Sequence, residues 1–396
     1  MTRLEDVVIV DAIRSPMGRG KPGGALSTLH PAELLGQVLT ALLARNGLDP
    51  ATVDDVLIGC VTQAGEQANG IGRMAWLAAG LPVEVPAATI ERKCGSGQQA
   101  IVFAAQAIAS GMQDIVIAGG VESMSRVAMG AAKIGQDGYG DALRRRFPAL
   151  VPQGVAAERV AQKYDIDREA MDAYSVRSHQ RAAATADGGG FDAEIVPIDL
   201  PDGSTVDADE TIRPDSSTVR LAQLSPAFAA EPYLSQFPDI TWGVTAGNSS
   251  QLTDGASAVL VMSRRRAEEL GLKPRASLID AVVCGDDPEL MLTAPIPATQ
   301  RLLARIGIDA SDVDAYEVNE AFASVPLAWA QEFDVDQERL NPRGGAIALG
   351  HPLGASGSRL FTTLLNHLEQ TGGRIGIQTM CEAGGMANAF AVRIEA

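Results

Sequence analysis

The 396-residue chain lacks several features that would place it at once. It has four cysteines (Cys60, Cys94, Cys284 and Cys381) and no CxxC pair among them. That pattern argues against a zinc site and, in a reducing compartment, against structural disulfides. Aromatic residues make up only 4% against 46% hydrophobic residues overall, which describes thin, Ala- and Gly-rich elements in close packing. No run approaches the roughly 20 apolar residues of a membrane-spanning helix. The opening "MTRLEDVVIVDAIRSP" places acids before any stretch that could act as a signal peptide. The expected location is therefore cytoplasmic, with no membrane partner. Basic residues are in deficit, 32 against 49 acids for a net charge of −17, which argues against nucleic acid and anionic lipid. An anionic small substrate stays compatible if a local cluster of donors receives it.

What is present is a repeat. "LLARNGLDPATVD" (42–54) and "LLARIGIDASDVD" (302–314) agree at eight of thirteen positions, at an offset of 260. The same offset carries Ser96-Gly97 onto Ser356-Gly357 and "DIVIAGGVE" (114–122) onto "RIGIQTMCE" (374–382). Two copies of one unit are expected. Each reads as strands alternating with helices, which predicts mainly parallel α/β sheets under helices. Residues 122–250 interrupt the first copy as an insertion with an amphipathic helix and loop-like segments, a natural place for substrate contacts. The expected division is 1–121 with 251–273, then the insertion, then 274–396.

Within "ERKCGSGQQA" (91–100), Cys94 follows a strand and opens a helix. Three readings are open: a nucleophile whose thiolate is favoured by the helix N-terminus, part of a phosphate-cradling loop, or a small buried residue. The flanking glycines would allow a sharp turn and the close approach of a ligand. "NPRGGAIALGHPLGASG" (341–357) puts His351 between Gly350 and Pro352, just before the helix that matches the Cys94 helix. An approximate twofold between the copies would bring the two loops together and set a base beside the thiol. Cys381, at the position matching Val121, should open onto the same cleft, and Asn319 of "VNEAFA" stands at a strand end. His30, His179 and His367 read as structural or solvated. Two thiols and an imidazole suggest acyl transfer through a cysteine, with a thioester as substrate and an oxyanion site for the enolate.

"CGSGQQA", "GGVESMSR", "TAGNSSQLTDGA", "NEAFA", "GGAIALGHPLGASG" and "MCEAGG" together resemble the thiolases over essentially the whole chain. The resemblance implies two βαβαβαββ-like halves in an α/β/α/β/α core, with a loop domain inserted in the first. It also implies a homodimer or homotetramer, with a β-oxidation complex as a further partner. No cofactor would be bound permanently; CoA and acyl-CoA thioesters would be substrates. Carried over by position, Cys94 is the acyl-accepting nucleophile, His351 its base, and Cys381 the second acid/base. Asn319 holds a water that forms one oxyanion site with His351, and the backbone N–H groups of Cys94 and Ala383 form the other. Ser250, Arg213, Met291, Phe322, Phe228 and Ala246 match contacts to CoA and the acyl group. Biosynthetic members resemble "HMG" where this chain has Pro152-Gln153-Gly154. A degradative 3-ketoacyl-CoA thiolase accepting a longer or bulkier acyl group is therefore implied, with acetoacetyl-CoA thiolase or a steroid-degrading thiolase as the alternatives. A β-ketoacyl synthase shares the fold, but Cys381 speaks against it.

Overall fold

The computed structural model describes residues 4–395. Its first half begins with the buried β-branched strand β1 (Val7–Arg14) and the short β2 (Gly18–Arg19). Helix α1 (Pro31–Arg45) starts where His30 Nδ1 accepts from the Ala32 amide and Pro31 fits the first turn. It stops before Gly47, which takes φ +57°. Then come β3 (Asp55–Gly59), α2 (Ile71–Ala78), β4 (Ala87–Ile90), α3 (Ser96–Ala109) and β5 (Ile115–Ser123).

The chain then leaves the sheet for about 130 residues, through α4 (Gly140–Arg146), α5 (Gln153–Lys163), α6 (Arg168–Asp187), the small ribbon β6 (Ile198–Asp199) with β7 (Thr205–Val206), α7 (Thr218–Leu221) and α8 (Tyr233–Gln236). It returns as β8 (Thr253–Ser263), followed by α9 (Arg264–Glu269). The second half runs β9 (Ala276–Gly285), α10 (Pro295–Ile306), β10 (Ala315–Val318), α11 (Ser324–Phe333), α12 (Ala346–Leu349), α13 (Leu353–Thr371), β11 (Ile375–Glu382) and β12 (Met386–Ile394).

The strand order β10-β11-β12-β9-β1-β8-β5-β3-β4 shows the duplication, since β1, β8, β5 and β3 mirror β9, β12, β11 and β10 across a seam. At that seam β1 and β9 share only the pairs Val8↔Ser277 and Ile9↔Ala276. The expectation of mainly parallel sheets is corrected. Only β3 with β4, β3 with β5, and β10 with β11 run parallel. The last strand of each half inserts antiparallel between its neighbours, β8 between β1 and β5 and β12 between β9 and β11. In the second half the reason is local: the turn Ala383–Gly385 is too short for a parallel crossover.

Helices α3 and α13 form the middle layer and pack on strands of both halves. One apolar core joins Ala100, Ile101 and Val259 to Phe361, Leu364 and Phe390. Outside the first half lie α1 and α2, with Leu35, Leu39 and Trp76 in a second core. Outside the second half, α10 and α11 share a third core with α5 and α6 from the long excursion. The α3–α13 crossing is close because it is made of glycine: a Cβ on Gly97 would come 2.7 Å from the Gly354 carbonyl oxygen, and one on Gly357 would overlap the Gln98 backbone. No helix among the described residues is long and apolar enough to cross a membrane.

Candidate active site

Cys94 lies in the turn between β4 and α3, two residues before the helix begins. The backbone reverses at Lys93, whose φ is +47°, an uncommon conformation for a residue with a side chain. Ser96 Oγ holds the turn by donating to the Lys93 carbonyl (2.5 Å) and accepting from the Arg92 amide (2.9 Å). The flanking glycines serve a different end from the one expected. Gly97 admits α13, and a Cβ on Gly95 would overlap a carboxylate oxygen of Glu382. They make room for protein, and the positive φ falls on Lys93.

The electrostatic expectation is also reversed. Burial pushes the Cys94 thiol well above its ordinary value, and the neighbouring Cys381 and Glu382 push in the same direction. Cys94 is 4% exposed, and desolvation of a thiolate there outweighs the helix N-terminus. In the unliganded protein Cys94 rests as a thiol.

His351 follows Gly350, whose φ of +86° bends the chain after α12. Its amide is held by the Gln251 carbonyl (3.1 Å) and Thr253 Oγ1 (3.0 Å). Its Nδ1 meets Ser356 Oγ at 2.5 Å, while Nε2 is buried with no partner among the described residues. If Nδ1 carries the proton to Ser356, Nε2 is a free acceptor. Burial, with the Arg359 charge, lowers His351 to about 3, so the ring is neutral. Leu353, two residues on, packs against Cys94 together with Met124, whose sulfur accepts from the Thr253 amide. Ser356 is the twin of Ser96 at the offset of 260, so one position steadies both the thiol turn and the imidazole.

Cys381, the last residue but one of β11, is 1% exposed, and burial raises it to about 12 against the opposing pull of the Asn319 side chain and nearby backbone amides. The Asn319 side chain lies beside the Cys381 sulfur, and its Nδ2 and Oδ1 are buried with no closed hydrogen bond among the described residues. Asn319 follows β10, and its own N–H donates to the Thr379 carbonyl of β11 (3.1 Å). Two neutral thiols, a neutral imidazole with an open nitrogen and an open amide thus sit along one seam. That set can accept a proton, add a sulfur to a carbonyl and donate to an oxyanion. Among the described residues no group of His, Cys, Asp and Glu is arranged to hold a metal ion.

The remaining sequence-predicted residues surround this seam. The Ser250 amide donates to the Ala321 carbonyl (3.0 Å), and Ser249 bridges Phe322, which ties the loop before β8 to the loop after Asn319. Met291 (φ +59°), Phe322 and Cys381 share one core with the half-buried Phe228 and Ala383. The rings of Phe228 and Phe322 meet edge to face at 6.0 Å. A Cβ on Gly154 would overlap the Phe228 ring. Arg213 is exposed and donates to Gln251 Oε1 (2.9 Å), and its amide donates to His179 Nδ1 (3.1 Å), so His179 is structural as expected. Ala246 is exposed.

Sequence reasoning missed the buried polar residues that hold these loops. Gln251 Nε2 donates to the Thr211 and Ile347 carbonyls (both 2.9 Å), joining the excursion to the His351 loop. The Glu320 carboxylate collects Tyr174, Ser178, Asn341 and the Ile347 amide. Glu122 accepts from the amides of Val61, Thr62 and Gly354, each at 2.9 Å, and from Gln67 at 3.0 Å. Their only signal was a polar residue inside an otherwise small and apolar motif.

Fold and site together define a duplicated α/β protein with two thiols and an imidazole at the seam of its halves. The chain belongs to the thiolase family: the thiolase N-terminal domain matches residues 7–265 and the thiolase C-terminal domain residues 272–394. It is 43% identical to steroid 3-ketoacyl-CoA thiolase FadA6 of Mycobacterium tuberculosis, over 97% of this chain and 93% of that one. It is also 43% identical to the 3-ketoacyl-CoA thiolase of Salmonella typhimurium, over 96% of each. Among solved structures, the Bacillus anthracis acetyl-CoA acetyltransferase superposes with a TM-score of 0.88 at 36% identity, covering 100% of both chains.

Proposed function

We propose that this thiolase cleaves 3-oxoacyl-CoA with CoA, in two half-reactions through an acyl group on Cys94. The observation that carries the reading is the pair of neighbouring buried free thiols, Cys94 and Cys381, with Leu353 packed on Cys94 and, two residues before it, His351, whose Nε2 has no partner among the described residues. His351 Nε2 takes the Cys94 proton as sulfur adds to the C3 carbonyl, and the resulting oxyanion is met by the Cys94 and Ala383 N–H groups. The C2–C3 bond then breaks, the acyl group stays on Cys94, and the Cys381 thiol protonates the departing enolate. The enolate oxygen faces His351 and a water on Asn319. In the second half-reaction Cys381 takes the proton of incoming CoA, whose sulfur adds to the acyl carbonyl; Cys94 leaves as a thiolate and recovers its proton from His351, and the acyl group departs as a new thioester. All groups rest neutral, so charge forms only when substrate provides the acceptor.

Residues 122–250 supply the outer contacts. Carried over from the resemblance, Arg213 meets the adenine end of CoA, Ser250 the pantetheine, and Met291, Phe322 and Phe228 the pantetheine and acyl group, with Ala246 a further CoA or substrate contact. At the start of α5, Pro152-Gln153-Gly154 brings neither the imidazole nor the thioether of "HMG", which supports a degradative enzyme acting on longer or bulkier chains. The two 43% relatives bear names of that kind. The four free thiols fit a reducing cytoplasm, and the family resemblance supports a homodimer or homotetramer.

Mixing the protein with acetoacetyl-CoA and CoA and following the enolate absorbance tests the reaction, and a graded panel of 3-oxoacyl-CoA substrates ranked by kcat/KM tests the subtype. Absence of turnover across the panel would sink the reading. Cys94→Ala is expected to abolish the acyl-enzyme seen by mass spectrometry. Cys381→Ala should still acylate from acetyl-CoA but lose roughly 10²–10⁴-fold in carbon–carbon cleavage; equal loss of both steps would contradict the separate roles.

A further inference from the structure

Glu382 follows Cys381 at the end of β11, has no exposed surface, and has no hydrogen-bond partner for either oxygen among the described residues. A buried carboxyl group left this way is costly unless it stays neutral or serves a task. The duplication supplies its control. Its twin at the offset of 260 is Glu122, whose carboxylate is saturated by four donors, one of them the Gly354 amide at the start of α13. Gly354 is itself the twin of Cys94. The first-half carboxylate is therefore a structural clamp on the α13 turn, and the second-half one faces the Cys94 turn with no closed hydrogen bond among the described residues, the Asn388 backbone amide being the one donor that acts on it.

What lies over Gly95 gives the missing partner. A Cβ there would overlap Glu382 Oε1 and would come 2.9 Å from Asn388 Oδ1, so the two side chains converge on one point. Asn388 Nδ2 donates to the Gly95 carbonyl at 3.0 Å, which fixes the amide's orientation and leaves Oδ1 as a buried acceptor without a donor. A protonated Glu382 is the only arrangement of these two groups that satisfies Oδ1 directly. We propose that Glu382 is a positioning residue for Cys94: as a neutral acid it donates to Asn388 Oδ1 and so fixes the amide whose Nδ2 holds the Gly95 carbonyl, and with it the Cys94 turn, and it must keep that proton while the Cys94 thiolate forms.

The charged and titratable groups facing Glu382 are Arg92, Glu91 and Cys94 from the β4–α3 connection, Cys381 on its own strand and Cys284 on β9. Burial raises Glu382 to about 8, with Glu91 adding to the rise and Arg92 and the Asn388 backbone amide opposing it. Above that value a second negative charge stands beside Cys94 and opposes its ionisation.

The inference rests on Cys94 being the nucleophile, and the experiment separates the two. Alkylation of Cys94 by iodoacetamide is followed by peptide mass spectrometry from pH 6 to 10, alongside acetyl transfer from acetyl-CoA, in the full-length protein. Glu382→Gln keeps a donor and removes the charge. Its alkylation profile should move to lower pH by about half a unit to one unit, a roughly three- to tenfold faster reaction on the rising limb. Glu382→Leu removes both, and should show the same displacement with acetyl transfer roughly 10- to 100-fold below that of Glu382→Gln. Should Glu382→Leu not fold, Asn388→Ala tests the same hydrogen bond and should lose acetyl transfer with the wild-type alkylation profile. A Glu382→Gln profile that superimposes on wild type, or equal acetyl transfer in the Gln and Leu variants, overturns the inference. Failure of wild-type Cys94 to take up acetyl overturns the proposed function instead.

Discussion

At the scale of single residues, the site is a set of buried neutral groups. The clearest case is Ser356, whose Oγ is 2.5 Å from His351 Nδ1 in a pocket where Nε2 is left open. A ring nitrogen's partner decides which of the two nitrogens carries the proton, so Ser356 selects the tautomer in which Nε2 can act as base. Ser356→Ala leaves the backbone of α13 untouched and removes that selection. We expect kcat to fall by about tenfold with little change in KM, because the lost interaction orients the base and does not touch substrate. Steady-state thiolysis checks this, and a change confined to KM would show that Ser356 acts on binding.

At the scale of elements, packing between α3 and α13 brings the thiol turn and the imidazole loop together, and glycine makes that packing possible. Gly357 meets the Gln98 backbone, which cannot rotate away as a side chain could. Gly357→Ala should cost roughly 3 kcal/mol or more and separate the helix starts, lowering both Tm and acyl-enzyme formation. Gly138→Ala, in open space, should change neither; equal Tm values for the two variants would refute the crossing argument. The glycines, the offset of 260 and the helix stops were legible in the sequence because they are local. The direction of β8 was not, since it is set by where the chain returns after the excursion and not by its own apolar pattern. Nor were the partners of Glu122 and Glu320: Glu122 binds Gly354, 232 residues away, and no local pattern encodes that distance. The rise of the Cys94 thiol was hidden for the same reason, because helix position is visible in sequence and the burial that outweighs it is not.

At the scale of the whole molecule, the question is whether two copies of one unit fold as two domains. Their backbone contact is slight, with two pairs between β1 and β9. The interior is different. Helix α13 of the second half packs on β1, β5 and β8 of the first, Glu122 grips its start, and Asn388 of β12 holds the Gly95 carbonyl from across the seam. The central core draws on both halves, so opening the seam would expose Val259 and Phe361 alike. A shared apolar core of this kind makes separate unfolding unfavourable, because neither half keeps its inner layer when the other is lost. Trp76 sits fully buried in the outer core of the first half and Trp329 in that of the second, which gives each half its own reporter. In variants where Trp242 and one of these two are replaced by Phe, fluorescence should give the same urea midpoint from either reporter, coincident with the loss of helix seen by circular dichroism. Two resolved midpoints would mean that the halves are independent domains and that the seam, with the site on it, opens before either core.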